Sequence, residues 1–143
     1  DGSLFVGQSN RGWNSVGTRS YGLQRLVWTG KIPFEMKTME ARPDGFLLTF
    51  TRPVDRQTAE ATTTYQMSSY TYPYHSTYGG AEIETQQLSI QKATVSVDAL
   101  SVHLTVPRLR EGFVHELHAK GIRSVAGESL LHESVYYTLN RIP

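Results

Sequence analysis

The sequence predicts an all-β protein: an antiparallel two-sheet β-sandwich with a short N-terminal two-strand appendage. Three observations lead there. From residue 33 onward, extended segments recur at intervals of roughly ten residues with turn residues between them, the spacing of a sandwich. Within those segments apolar residues alternate, as in Phe46, Leu48 and Phe50 or Val102, Leu104 and Val106, which is the period of a half-buried strand. Of 143 residues only 19% are charged and 38% hydrophobic, and Thr, Ser, Gly and Tyr fill the gap, as suits exposed sheets.

The elements follow in order. Ser3–Gln8 alternates loosely and reads as a strand. Residues 9–20 form a polar loop holding Asn10, Arg11, Trp13 and Arg19. Tyr21–Thr29 is a second strand, ended by Gly30. Two strands with a long loop between them cannot hold a core alone, so residues 1–32 must pack on something else. Residues 33–143 then form the sandwich. Pro33–Met39 is a short extended run. Ala41–Gly45 makes a tight turn with Asp44-Gly45 at its tip. Phe46–Thr51 is a core strand, stopped at Pro53. Asp55 is placed to cap one short helical turn through Ala61. Thr62–Tyr74 is a strand with Tyr65, Met67 and Ser69 on one face and Gln66, Ser68 and Tyr70 on the other. Pro73 has no N–H to donate and ends the strand or makes it an edge. His75–Gln87 reads as a long polar loop centred on Gly79-Gly80. Leu88–Val97 and Ser101–Val106 are strands joined by a turn at Asp98–Leu100. Phe113–Ile122 places Phe113, His115, Leu117 and Ala119 on one face, and Val135–Ile142 closes the chain. The count from residue 33 is about seven strands.

Composition excludes several function classes. The net charge of +1 comes without any basic run, so the electrostatic footprint of a nucleic-acid binder is missing. No apolar stretch approaches the ~18 residues of a membrane span. The count of 0 cysteines rules out disulfides, a thiolate nucleophile and cysteine-ligated zinc. The first residues lack the basic and apolar regions of a signal peptide, and the chain reads as an excised piece of something longer.

The run Phe46-Leu-Leu-Thr-Phe-Thr-Arg-Pro-Val-Asp55, a helical turn and a Thr64-Tyr65 strand resemble the bacterial immunoglobulin-like (Ig-like) repeats of secreted multidomain proteins. Ser101–Val106, Gly112 before Phe113–Leu117, and Val125-Ala-Gly-Glu-Ser-Leu130 fit the same pattern over residues 33–143. Two residues depart from it: His115 stands where an aromatic residue is common, and Ala99 where the turn has Gly. Asp1–Trp13 and Tyr21–Gly30 resemble instead the last blade of a sugar-dehydrogenase-type β-propeller of the sorbosone dehydrogenase class. In such secreted proteins an Ig-like domain follows the propeller and carries a Tyr-rich insertion ending in Tyr-Gly, which Tyr78-Gly79 matches. The resemblance implies a parent oxidoreductase of which this chain is an accessory module. It carries over no catalytic residue.

The Tyr65–Gly80 stretch contains Tyr65, Tyr70, Tyr72, Tyr74 and Tyr78 of the chain's 8 tyrosines. Flat aromatic faces stack on the C–H faces of sugar rings, and Tyr supplies contact area at low entropic cost. On one strand Tyr70, Tyr72 and Tyr74 would form a platform with steps of about 7 Å. His75, Tyr78 and Glu82 complete the candidate ligand-binding set. The competing reading is physical too: aromatic residues are good strand formers and can cover a sheet edge. His115 and His118 would share a face on a helix but fall on opposite faces of a strand, so no metal site is expected. His103 and His118 read as possible cross-strand neighbours on the solvent face. Glu82 and Glu84 have the spacing of a carboxylate pair for glycoside hydrolysis or of Ca²⁺ ligands, against the plainer reading of a solvated loop. The expectation is a monomeric, cofactor-free, non-catalytic module of a secreted or periplasmic bacterial protein. Its partner is a polysaccharide bound at the tyrosines. The alternative is a docking domain whose partner is a neighbouring domain of the same parent chain, and a glycan-active enzyme comes third.

Overall fold

The structure, a computed structural model, describes residues 2–9 and 21–143. Its contacts divide the chain into two units, Asp1–Ile32 and Pro33–Pro143. In the first, β1 (Leu4–Ser9) pairs antiparallel with β2 (Tyr21–Leu26), Leu4 opposite Leu26 and Ser9 opposite Tyr21. Phe5, Leu23, Leu26 and Trp28 are all exposed. The Arg25 guanidinium lies 5.9 Å above the Phe5 ring. Asn10, Arg11, Trp13 and Arg19 lie outside the described residues.

The second unit is a sandwich of two four-stranded antiparallel sheets. One runs β3 (Met36–Arg42), β4 (Gly45–Phe50), β8 (Ser101–Thr105), β7 (Lys92–Val95). The other runs β10 (Ser134–Leu139), β9 (Phe113–Ala119), β5 (Tyr65–Thr71), β6 (Ile83–Leu88). In chain order these strands take positions A, B, C, C′, D, E, F and G of an immunoglobulin-type sandwich, with ABED packed on GFCC′. The core lies between the sheets. Phe46, Leu48, Val102 and Leu104 come from one side, Met67, Leu117, Ala119 and Leu139 from the other. These are the alternating positions that the apolar pattern marks.

The expected strand Leu88–Val97 is divided between the end of β6 and β7, and Thr62–Thr64 is a 3-10 turn ahead of β5; three further departures have a local reason. Ile83–Leu88 is a strand and not loop. It is an edge strand whose side chains are exposed except for Leu88, so it shows no apolar alternation. β5 ends at Thr71, short of Tyr74. The first hairpin pairs Arg42 with Gly45, so Pro43 and Asp44 form the tip and Gly45 opens β4. A Cβ on Gly45 would sit 1.8 Å from the Leu104 carbonyl oxygen, and only glycine allows β8 to approach so closely.

A short helix α1 (Arg56–Glu60) carries the chain from one sheet to the other. Asp55 caps it, its Oδ2 accepting from the Thr58 N–H at 3.0 Å, and this hydrogen bonding holds the Asp55 carboxyl below its ordinary range. The Arg56 guanidinium donates to the Ser96 and Val97 carbonyls at 2.6 and 3.0 Å, which ties the helix to the β7–β8 turn. The Tyr65 hydroxyl, buried at the start of β5, donates to the Ala59 carbonyl at 2.6 Å. Burial raises its pKa. Ala99, in that β7–β8 turn, adopts φ 56°, the left-handed conformation for which glycine is the usual residue.

Two substitutions test these local arguments. Left-handed strain at an L-residue costs ~1–2 kcal/mol, partly offset by the entropy that glycine loses on folding, so Ala99→Gly should stabilise the fold by about 0.5–1 kcal/mol. Urea denaturation would register this as a higher midpoint. Tyr65→Phe leaves the buried Ala59 carbonyl without its donor and should cost about 1–2 kcal/mol, with the slope of the urea transition unchanged.

Candidate functional site

The residues of interest gather on the outer face of the β10-β9-β5-β6 sheet and on the loop that leaves β5. Strand alternation turns Tyr65, Met67 and Ser69 inward and Gln66, Ser68 and Tyr70 outward. Tyr136 on β10 stands opposite Glu116 on β9, Glu116 opposite Ser68 on β5, and Tyr70 opposite Val114. Tyr70 is only 4% exposed although it lies outside the inter-sheet core. Its ring packs edge to face with that of Tyr72, centroids 5.6 Å apart.

The tyrosine hydroxyls feel the carboxylates around them. Desolvation raises the Tyr70 pKa most, then its hydrogen bond to Tyr72, with the charges of Glu82 and Glu116 adding to the shift. Tyr136 is raised mainly by donating to Glu116, and Glu82 and Tyr72 push it the same way. Two hydroxyls on different strands thus respond to the same two acids. Ring packing joins Tyr70 to Tyr72, strand pairing sets Glu116 opposite Tyr136 and beside Tyr70, and the Thr71–Ile83 pair brings Glu82 out at the same end as Tyr72, so the five residues form one aromatic–acidic cluster. Glu116 is further paired with His118 at 3.0 Å.

Past Thr71 the chain leaves the sheet. Tyr72 is half exposed, and Tyr74 and Tyr78 are fully exposed. Tyr72, Pro73, Tyr74, His75, Thr77, Gly79 and Gly80 line an open hollow of about 410 Å³. Thr77 Oγ1 lies 2.5 Å from His75 Nδ1 and orients that ring. A Cβ on Gly80 would come within 3.3 Å of His75 Nε2 and 3.4 Å of the Pro73 ring, so Gly80 lies close against both walls of the hollow.

The structure places the expected residues differently from a flat strand platform. Tyr70 is buried, Tyr72 packs against it, and Tyr74, His75 and Tyr78 ride on the loop. Glu82, just before β6, belongs to the cluster. Glu84 does not. It occupies a bulge between the Ser69–Gln86 and Thr71–Ile83 pairs with φ 54°. Its carboxylate lies 3.6 Å from Arg110. Glu82 and Glu84 therefore serve different partners. His115 and His118 fall on opposite faces: His115 is fully buried between the sheets, and His118 bonds Ser134 on the outer face. The reading of His103 and His118 as neighbours is corrected. His103 lies on β8 in the other sheet, 3.1 Å from Asp44.

Sequence reasoning passed over Arg110, Glu116 and Tyr136. The last two carried a usable signal, since pairing β9 with β10 sets their outward positions side by side. Arg110 carried none, because its partners lie 26 and 41 residues away. Its Nη1 donates to the Glu84 carbonyl at 2.8 Å and to Ser69 Oγ at 3.0 Å. Its guanidinium lies 3.5 Å above the Phe113 ring. Its backbone N–H donates to His115 Nε2 at 3.3 Å. With Nε2 accepting, the proton of His115 sits on Nδ1, which donates to the Phe113 carbonyl at 3.3 Å. Desolvation pushes the His115 pKa down, and the Arg110 charge adds to it against the opposing Phe113 carbonyl.

No protein-family model matches the chain, and no curated protein matches it. Solved structures of a bacterial S-layer protein, SbsC, share its fold. The S-layer protein rSbsC(31-844) aligns at 21% identity with a TM-score of 0.57, over 76% of this chain and 14% of that one. SbsC domains 1-6 align at 21% identity and TM-score 0.58, over 76% and 14%. The N-terminal part of SbsC aligns at 21% identity and TM-score 0.57, over 76% and 24%. The likeness defines the class of fold, a β-sandwich domain. This chain spans a quarter or less of each of those chains.

The His115 environment predicts a pH dependence. A histidine whose folded pKa is depressed binds fewer protons folded than unfolded, so stability is full above the ordinary value of 6.5 and is lost as pH falls below it. The melting temperature should therefore decline between about pH 6.5 and pH 5, above the range in which carboxylates such as Asp55 titrate. His115→Gln should flatten that decline in differential scanning calorimetry, and an unchanged slope would refute the assignment.

Proposed function

We propose that this chain is a non-catalytic module of a large bacterial secreted or cell-surface protein and binds carbohydrate at the tyrosine loop after β5. The observation that carries this reading is the full exposure of Tyr74 and Tyr78 beside the hollow that Tyr72, His75 and Gly80 shape. Rigid rings offered to solvent on a loop held by a well-packed sandwich suit stacking on sugar rings. His75, Thr77 and Glu82 add hydrogen-bonding groups that orient hydroxyls. The fold likeness to an S-layer protein supports the surface setting. The separate engagement of Glu82 and Glu84 supports a binding role over hydrolysis. The module works as a monomer and without a cofactor.

A second reading rests on a different observation. Phe5, Leu23 and Trp28 are 61%, 74% and 66% exposed on the N-terminal strand pair, more apolar surface than an isolated hairpin keeps in water. It supports residues 1–32 as the closing strands of a preceding sugar-dehydrogenase-type propeller, with the sandwich as its docking domain.

Affinity electrophoresis against neutral, acidic, sulfated and amine-bearing polysaccharides tests the first reading. At least one polymer should retard the chain, and Tyr74→Ala and Tyr78→Ala should each weaken that retardation about five- to tenfold. A chain that migrates freely through every polymer overturns carbohydrate binding and leaves the docking reading.

A further inference from the structure

We propose that the tyrosine loop selects glycans bearing free primary amines, with Glu82 as the residue that reads the positive charge. The inference rests on the carbohydrate-binding reading and names the class of sugar. It starts from charge. Between Gln57 and Gln91 the sequence contains no Lys or Arg, so apart from His75 the loop and both strands beside it bring no basic side chain of their own. The one arginine that reaches this region, Arg110, is spent on Glu84 and Ser69. Among the described residues Glu82 has no basic partner.

Geometry puts that charge beside the aromatic surface. Glu82 follows directly after the loop: Thr71 pairs with Ile83, so the residues next in line, Tyr72 and Glu82, leave β5 and β6 at the same end of the pair. Tyr72 belongs at once to the cluster that Glu82 joins and to the wall of the hollow. Glu116 adds a second carboxylate, held in place by His118 and by its cross-strand position opposite Tyr136. A ring lying on Tyr74 or Tyr78 and extending past Tyr72 would meet carboxylates and electron-rich tyrosine faces together. That combination suits an ammonium group, which gains from a carboxylate and from aromatic faces. A sulfated or uronic polymer would meet repulsion from both carboxylates with no Lys or Arg free to offset it.

The test holds the sugar backbone constant and changes only the amine. Fully deacetylated and fully N-acetylated β-1,4-glucosamine hexamers are titrated into the chain by isothermal calorimetry at pH 6 in low salt. The deacetylated hexamer should bind about tenfold tighter, and the preference should shrink as salt is raised to about 0.5 M. Glu82→Gln should bring the two affinities within about twofold, whereas a purely structural Glu82 would leave their ratio alone. Equal or tighter binding of the acetylated hexamer, or an unchanged ratio in Glu82→Gln, overturns the inference while carbohydrate binding stands. Spermine binding as tightly as the deacetylated hexamer also overturns it, because bare charge would then suffice. If neither hexamer binds while another polymer retards the chain, the amine preference alone falls. If no carbohydrate binds at all, both readings fall.

Discussion

The Arg110 guanidinium is the tie on which the tyrosine surface depends. β6 is an edge strand that buries only Leu88, so apolar burial contributes little to holding it. Its bulge places Glu84, an L-residue, in the left-handed region, which costs about 1–2 kcal/mol. Arg110 offsets that cost. From outside the sheet it donates to the bulged carbonyl, reaches the Glu84 carboxylate and bonds Ser69 on β5. Charge-assisted bonds are roughly twice as strong as neutral ones, and the Phe113 ring under the guanidinium adds a cation–π contact. The bulge sets where β6 begins, and the start of β6 sets where Glu82 lies. The acid that joins the tyrosine cluster is thus positioned by an arginine that never touches it.

The same arginine explains why a histidine can sit in the core. His115 takes an inward position where apolar residues are the rule, and it is fully buried. It survives there because both ring nitrogens are satisfied, one by the Arg110 backbone N–H and the other by the Phe113 carbonyl. A neutral, doubly bonded imidazole packed at 5.2 Å against Phe46 fills the place of an aromatic side chain without an orphaned polar group. The departure from an aromatic residue at this position is therefore a change of chemistry and not of packing. Its consequence is sensitivity of the core to mildly acid pH.

The sandwich was legible in the sequence because its core strands announce themselves. Phe46, Leu48 and Phe50, or Val102, Leu104 and Val106, alternate so plainly that the inward face follows from the sequence, and Asp55 marks its helix by the chemistry of its cap. Ala99 showed as a residue out of place, and the structure puts it where glycine belongs. The site was legible only as composition. The tyrosines drew attention, but their arrangement depends on β5 ending at Thr71, on a bulge at Glu84 and on β6 pairing as an edge. None of these leaves a periodic trace. Tyr70 shows the difficulty best. Alternation places it on the outward face, yet it is buried, because Tyr72 packs across it and that contact is tertiary in origin.

That burial bears on what the surface can do. A platform of three exposed rings along one strand would be flat and indifferent to charge. Instead Tyr70 serves as a floor against which Tyr72 packs edge to face. Tyr72 is then half exposed in a defined pose, and Tyr74 and Tyr78 project beyond it. Two kinds of surface meet at Tyr72. On one side are open rings, which give stacking area with little discrimination; on the other are Glu82, Glu116 and Tyr136, which give a negative potential concentrated on a few hydroxyls. In the proposed binding mode, stacking supplies affinity that is tolerant of sugar identity and charge supplies selection. A ligand has to span both to use both, so the selectivity proposed for this face depends on Tyr72 keeping the pose in which it packs on Tyr70.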